Sequence, residues 1–354
     1  MQHVSPDEDD GVFPPNDAPQ EIEAGLWRIP VPLPFALRSA NIYLLDNGAA
    51  GWAIVDSGFG LPADEAALRA GLARAGVALD AITAIVLTHA HPDHIGLSGT
   101  IQAASGAPVY MLAREDQRMY DVWGTDADPG FGAVTALYAA NGLPPDEVAG
   151  SAAATIRTRR ILRLPRRETV HVLEDGAELR LGNYTYEVIW TPGHSDYHMC
   201  LLRDDNVFIA GDHILPAITP NIGLYPQARP DPLRDYFGAI QRVRDLPARV
   251  VLPGHGRPFT TLAERVDALR AHHEERSAAV LAVVRAHPAG ISGYALASII
   301  FGSRLRTSDD RRFALVEMLA HLEYLRTEGR AAREEREGQV LYTAAVPAPA
   351  VRRA

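Results

Sequence analysis

Several short apolar runs in this chain end in the same way, on a glycine turn whose tip is a histidine or an aspartate. Residues 185–190 lead into Thr191-Pro192-Gly193-His194, residues 207–210 close on Gly211-Asp212-His213, and residues 249–252 lead to Pro253-Gly254-His255-Gly256. One such turn carries little information. A series in phase with successive strands is hard to produce as core chemistry, and it demands a sheet whose strand ends meet in one place. Ligand sites of α/β sheets lie at such carboxyl ends.

The densest stretch, 87–96, reads Leu-Thr-His-Ala-His-Pro-Asp-His-Ile-Gly. It follows a continuous apolar run at 82–87, the pattern of a strand buried on both faces. His89, His91, Asp93 and His94 place three imidazoles and a carboxylate within six positions. Alternation by two puts His89 and His91 on one side of an extended turn while Asp93 and His94 swing to another, which is the geometry for two neighbouring metal ions. Imidazole nitrogen and carboxylate oxygen suit borderline divalent metals, Zn2+ first, with Fe2+ and Mn2+ as alternatives. A polar loop of satisfied histidines would explain any one of these residues but not four together.

The chain has 354 residues, more than one average domain, so a large domain plus a small one is expected. Its formal charge is −10, and all 34 basic side chains are arginine. That balance argues against nucleic-acid binding over the whole surface and leaves room for a local arginine-lined site. The single cysteine, Cys200, cannot form an internal disulfide, and its apolar surroundings read as a buried strand. Residues 1–19 read as a disordered tail without the apolar core of a signal peptide, and no run reaches membrane-spanning length. A cytoplasmic protein that does not engage a membrane is expected.

Strands are expected at 26–30, 40–45 and 51–55, with Asn47-Gly48 as a hairpin turn. The third ends in Val55-Asp56-Ser57-Gly58, where Asp56 either orients a ligand histidine or forms an ordinary Asx turn. Helices follow at 63–75, 97–105 and 233–244, and further strands at 108–111, 169–173, 178–181 and 199–203. The stretch 114–167 is the least regular, with apolar helical patches at 119–123 and 132–140, then Arg157, Arg159, Arg160, Arg163, Arg166 and Arg167. A long segment between two site-bearing strands reads as a lid or substrate wall. Its arginines either receive an anionic substrate or form a solvated face.

Together these residues resemble the metallo-β-lactamase fold superfamily: Val55-Asp56-Ser57-Gly58, then Thr-His-Ala-His-Pro-Asp-His, Thr-Pro-Gly-His, Gly-Asp-His and Pro-Gly-His-Gly, in the family's order. The resemblance implies a four-layer αββα sandwich over 20–271, with 114–167 as an insertion and a dinuclear metal site on one edge of its two sheets. Carried over, His89, His91 and His194 would hold one metal, Asp93, His94 and His255 the other, and Asp212 would bridge both. A shared water made acidic by two ions about 3.5 Å apart would supply a bridging hydroxide. Asp93 or Asp212 would handle its proton. His213 is not a ligand in the usual pattern; it could donate to substrate or pack behind Asp212. His198 could support the site from behind.

Residues 272–345 look separate, with helices at 278–287, 293–301 and 311–327 and a β-hairpin at 331–343; 346–354 is a tail. That order resembles a winged helix such as the one found in the β-lactamase-like protein 2 group. Its third helix mixes arginines with Glu317, Glu323 and Glu328, which favours packing or dimerisation over reading DNA. The resemblance also implies a metal-dependent hydrolase, acting on a small-molecule thioester or ester. It departs from the hydroxyacylglutathione hydrolases at Ala90, where that family has histidine, and lacks their basic C-terminal helix. An anionic thioester would give the arginines a purpose. A single-strand endoribonuclease and a lactonase are the alternatives, and the acidic balance counts against the nuclease.

Overall fold

The computed structural model describes residues 18–34, 37–124 and 130–345. The tails expected at the two ends fall almost wholly outside these residues. The chain opens with an antiparallel meander of β1 (Gln20–Glu23), β2 (Leu26–Pro32), β3 (Ser39–Asp46) and β4 (Trp52–Val55). The β3–β4 hairpin closes through a short 3-10 turn at Gly48–Ala50, a longer loop than Asn47-Gly48 alone would make.

From β4 to β7 the connections are crossovers, which parallel strands require. Helix α1 (Pro62–Arg74) leads to β5 (Ile82–Val86), and α2 (Pro92–Ile95) with α3 (Ser98–Ser105) leads to β6 (Val109–Leu112). Three helices, α4 (Glu115–Trp123), α5 (Gly130–Ala140) and α6 (Pro145–Ile161), then lead to β7 (Val170–Leu173). β4 to β7 pair in parallel and complete a seven-stranded sheet in chain order. The second sheet has β8 (Glu178–Leu181), β9 (Tyr184–Trp190), β10 (Met199–Arg203) and β11 (Val207–Gly211) in antiparallel succession. Helix α7 (Pro232–Val243) then sets β12 (Val250–Pro253) parallel to β11.

Strand alternation builds the layers. Ile54 and Ile85 face Leu68 and Leu72 of α1 and Ile101 of α3, while Ala53, Val55, Ala84 and Val86 face the other sheet. Across that interface Val188, Leu201 and Ile209 point inward, and Ile189, Cys200 and Phe208 point outward to α7. Each fully buried aliphatic side chain is worth roughly 1.5–3 kcal/mol, so a one-residue slip in any strand would forfeit several at once. The result is the expected αββα sandwich.

Helix α8 (Leu262–Ala286) corrects two sequence expectations, because it starts well before 278 and runs unbroken through 271. Its first half packs Leu262, Val266 and Leu269 on the second sheet. Its second half puts Val280, Leu281 and Val284 into a core shared with α9 (Gly293–Phe301), α10 (Ser308–Thr327) and the hairpin β13 (Ala331–Arg336)–β14 (Gln339–Ala344). A capping box starts α10: Asp310 N–H donates to Thr307 Oγ1 at 3.0 Å, and Thr307 N–H to Asp310 Oδ2 at 2.8 Å.

The segment 114–167 is more regular than its sequence suggests. Proline at the first helical position and an alanine-rich middle start and sustain α6, but its apolar residues do not form a stripe. Tyr138 and Leu143 from this insertion join the core of α8, α9 and α10. No helix among the described residues is long and apolar enough to cross a membrane.

Candidate metal centre

β4, β5, β9, β11 and β12 all deliver their carboxyl ends to one edge of the sandwich. Asp56 follows β4, residues 88–94 follow β5, His194 follows β9, and Asp212 and His255 follow β11 and β12. The two sheets are joined there by backbone. Met199 N–H donates to Thr88 O at 3.0 Å, and Asn41 N–H to Gly254 O at 2.7 Å. Asn41 Nδ2 also donates to Pro253 O and Gly256 O, at 2.8 and 2.7 Å, so β3 grips the loop that carries His255.

Three sets of donor atoms converge within 4.8 Å of one another: His89, His91 and His194; Asp93, His94 and His255; and a set of His89, His94 and Asp212 that links them. His91 Nδ1 lies 3.0 Å from His89 Nε2 and 2.8 Å from His194 Nε2. Asp212 stands between the two triads, with Oδ2 3.5 Å from His194 Nε2 and 3.3 Å from His255 Nε2, and Oδ1 3.5 Å from His94 Nε2. Asp93 Oδ2 lies 3.4 Å from His255 Nε2.

The far nitrogen of each of three imidazoles is fixed by a partner. His94 Nδ1 donates to Asp56 Oδ2 at 2.8 Å, His194 Nδ1 to Asn221 O at 3.0 Å, and His255 Nδ1 to Ser39 O at 2.7 Å. Each bond leaves Nε2 turned to the centre and available to a metal, which is how metal-binding histidines are oriented. Asp56, held at φ +61°, also accepts from Thr88 N–H at 2.8 Å. It acts on the candidate ligand His94 and is not among the residues that line the cavity.

Burial holds His89 and His91 well below the ordinary histidine value, and neighbouring imidazoles push the same way. Burial likewise lowers His194. The neutral form favoured in this way is the one that offers a lone pair to a metal. Burial opposes charge on His255 too, but Asp212 and Asp93 outweigh it and push its pKa up to about 10. His94 is raised in the same way by Asp212, Asp56 and Asp93. Asp93 and Asp212 are correspondingly held below the carboxylate range by these two histidines, against the effect of burial.

Metal ions fit this arrangement. His94 Nε2, His255 Nε2 and Asp212 Oδ1 are buried without hydrogen-bond partners among the described residues, a costly state that a cation would relieve. The cradle leaves no spare room either, because a Cβ on Gly254 would stand 2.2 Å from Asp212 Oδ1.

His213 is set apart from the donor groups. It is wholly buried and stacks edge-on against Tyr236 with ring centroids 5.3 Å apart. Burial lowers its pKa to about 3. Packing behind Asp212 is the role this placement allows. His198, by contrast, accepts from Asp212 N–H at 3.1 Å and so fixes the backbone of the central carboxylate.

Two contributors escape sequence reasoning. Glu115, fully buried at the start of α4, accepts from Ala90 N–H at 2.8 Å and from Ser195 Oγ at 2.5 Å. It therefore ties the loop of His89 and His91 to that of His194. Asn221 holds His194 through its carbonyl, and its Nδ2 donates to Phe313 O at 3.4 Å and to Glu317 Oε2 at 3.3 Å on α10. Glu115 sits in a charged triplet that reads as a solvated helix start, and Asn221 sits in a loop without a motif.

The donors open onto a cavity of about 2260 Å³, lined by His91, Asp93, His194 and Asp212 at its base. α4 to α6 form one wall and the first turns of α10 another. The chain belongs to the metallo-beta-lactamase superfamily, which residues 36–255 match. A metallo-beta-lactamase family protein from Thermus thermophilus superposes over 92% of this chain and 100% of its own, with TM-score 0.81 and 34% identity. The beta-lactamase-like protein 2 homolog of Caenorhabditis elegans is 27% identical over 262 residues, covering 72% of this chain and 69% of that protein. The probable metallo-hydrolase YqjP of Bacillus subtilis is 29% identical over 252 residues, covering 68% and 74%.

Proposed function

We propose that this chain is a dinuclear metal-dependent hydrolase of thioesters or related esters. The observation that carries the reading is the pair of triads with Asp212 between them, opening on a large cavity. His89, His91 and His194 would hold one ion, Asp93, His94 and His255 the other, with Asp212 between them. Two divalent ions there, Zn2+ by donor type, would supply a water acidic enough to attack at neutral pH and an electrophile for the scissile carbonyl.

The chain's own groups do the rest. Asp93 and Asp212 line the cavity, and either carboxylate would be placed to accept the attacking water's proton. Trp123 and Phe313 give the cavity apolar wall for an acyl group. His213, the further histidine beside Asp212, is buried out of the cavity's lining. A leaving group that departs without an imidazolium donor is therefore favoured, and a thiolate is such a group.

The C-terminal region is read as a winged-helix-like packing module. Its third helix is largely buried, and Arg311, Arg312 and Arg326 pair with Glu147, Asp309 and Glu323 at 2.5, 2.8 and 2.6 Å. Those charges are committed within the fold, which counts against nucleic-acid reading by this helix.

The test is hydrolysis of a panel by metal-quantified protein: acyl thioesters, an aryl ester, a homoserine lactone and single-stranded RNA. Thiol release that a chelator abolishes is the expected result. RNA cleavage with thioesters untouched would replace this reading with the nuclease, and lactone opening alone with the lactonase.

A further inference from the structure

One wall of the cavity carries a row of arginines that hydrolysis itself does not use. Arg157 and Arg160 lie three residues apart on α6, hence on one face, and Arg163 and Arg167 continue the row past the helix end. All four line the cavity that holds His91, Asp93, His194 and Asp212. Resting on the hydrolase reading above, we propose that this row is a phosphate-binding rim that selects small-molecule esters whose leaving half carries phosphate.

The rim is fixed relative to the donor groups. Arg163 N–H donates to Gly96 O at 2.8 Å, and Gly99 N–H donates to Arg163 O at 2.6 Å. A Cβ on Gly99 would meet Leu164 O at 2.2 Å, so backbone lies directly on backbone just after His94. On the other side, Trp123 Nε1 donates to Ala90 O at 2.8 Å, between His89 and His91. Tyr120 Oη, donating to Pro165 O at 3.0 Å, joins α4 to the row.

Charge is what singles the row out. Among the described residues, none of the four has a carboxylate partner. Arg157 and Arg160 are exposed, Arg163 turns onto the carbonyls of residues 160–162, and Arg167 lies over the Tyr120 ring at 4.3 Å. By contrast Arg244 meets Asp245 and Asp267, and Arg249 meets Glu23 and Asp205. Most of the cavity's acids are engaged away from the row: Asp196 pairs with Arg118 at 3.0 Å, Asp309 with Arg312 at 2.8 Å, and Asp93 and Asp212 stand against His255 at 3.4 and 3.3 Å, which leaves the exposed Asp121.

Like charges three residues apart on a helix destabilise it, so an anion that bridges them would gain what the fold gives up. The planar guanidinium matches phosphate oxygens two at a time. The apolar wall would take the acyl group, the donor groups the scissile bond, and the rim the phosphate beyond it.

The experiment compares two thioesters of one acyl group, acyl-coenzyme A and the phosphate-free acyl-N-acetylcysteamine, on metal-loaded full chain and on Arg157→Gln/Arg160→Gln. Wild type should favour the phosphorylated thioester in kcat/KM by at least tenfold, and the variant should lose most of that preference through KM. An equal ratio for both proteins would overturn the proposal. Should neither thioester be cleaved, the thioester reading fails by itself, and calorimetric binding of adenosine 3′,5′-bisphosphate decides the rim. Saturable binding that the double substitution abolishes supports it. No binding, or binding of single-stranded RNA alone, overturns it.

Discussion

Gly254 shows how tightly single residues constrain the centre. Its N–H donates to Gly211 O and its carbonyl accepts from Asn41 N–H, both at 2.7 Å, so its backbone cannot retreat. An added Cβ would press on Asp212 Oδ1 and on His94 Cε1, the latter at 2.9 Å. Gly254→Ala should therefore weaken the metal bound by Asp93, His94 and His255 by at least tenfold, the scale on which misplaced supports act. Metal titration of the variant checks this, and wild-type affinity for both ions would refute it. At this scale the sequence was informative wherever residue type implies chemistry, as with the seven histidines and aspartates that converge at the candidate centre. It was silent where the role is set by burial. Glu115 carries no sign, in its local sequence, that both loops will close over it.

At the level of elements, helix α10 reaches the centre through one loop. Glu317, half-buried and paired with Arg276 of α8 at 3.2 Å, accepts from Asn221, whose carbonyl holds His194. Leu224 N–H also donates to Val316 O at 3.0 Å, so the loop is docked along the helix. Glu317→Ala leaves Asn221 and Arg276 without that partner. Metal affinity at the His89–His91–His194 group should fall about tenfold, with helix content kept. Unchanged affinity in equilibrium dialysis would show that the loop holds His194 without α10. Strands were legible because alternation and continuous apolar runs are strong local signals. Helix α6 was not, since its stability comes from alanine content and its start, not from an apolar stripe. The extent of α8 was hidden for a related reason: it faces two different cores along its length, so no single stripe runs through it.

Across the whole molecule, α8 and the shared core bind the sandwich, the insertion and the C-terminal region into one body. That body buries histidines far from the centre. His273 sits among Tyr236, Phe237, His272, Arg276 and His321, with neither nitrogen bonded among the described residues. Burial, aided by His272 and Arg276, lowers its pKa from 6.5 to about 3. The unfolded chain takes a proton below 6.5 that the fold refuses, so stability is full above that pH and falls as pH drops towards 3. At pH 5 the loss is about 2 kcal/mol, from 1.36 kcal/mol per pH unit. His273→Leu should gain about that much on going from pH 8 to pH 5 relative to the parent in denaturant titrations. Parallel pH profiles for the two proteins would contradict it. The central claim, two metals held by triads that share Asp212, is tested most directly by metal content. Purified wild type should carry two equivalents, and His91→Ala one, with activity abolished and the circular dichroism spectrum kept. Two equivalents and full turnover in His91→Ala would contradict the account.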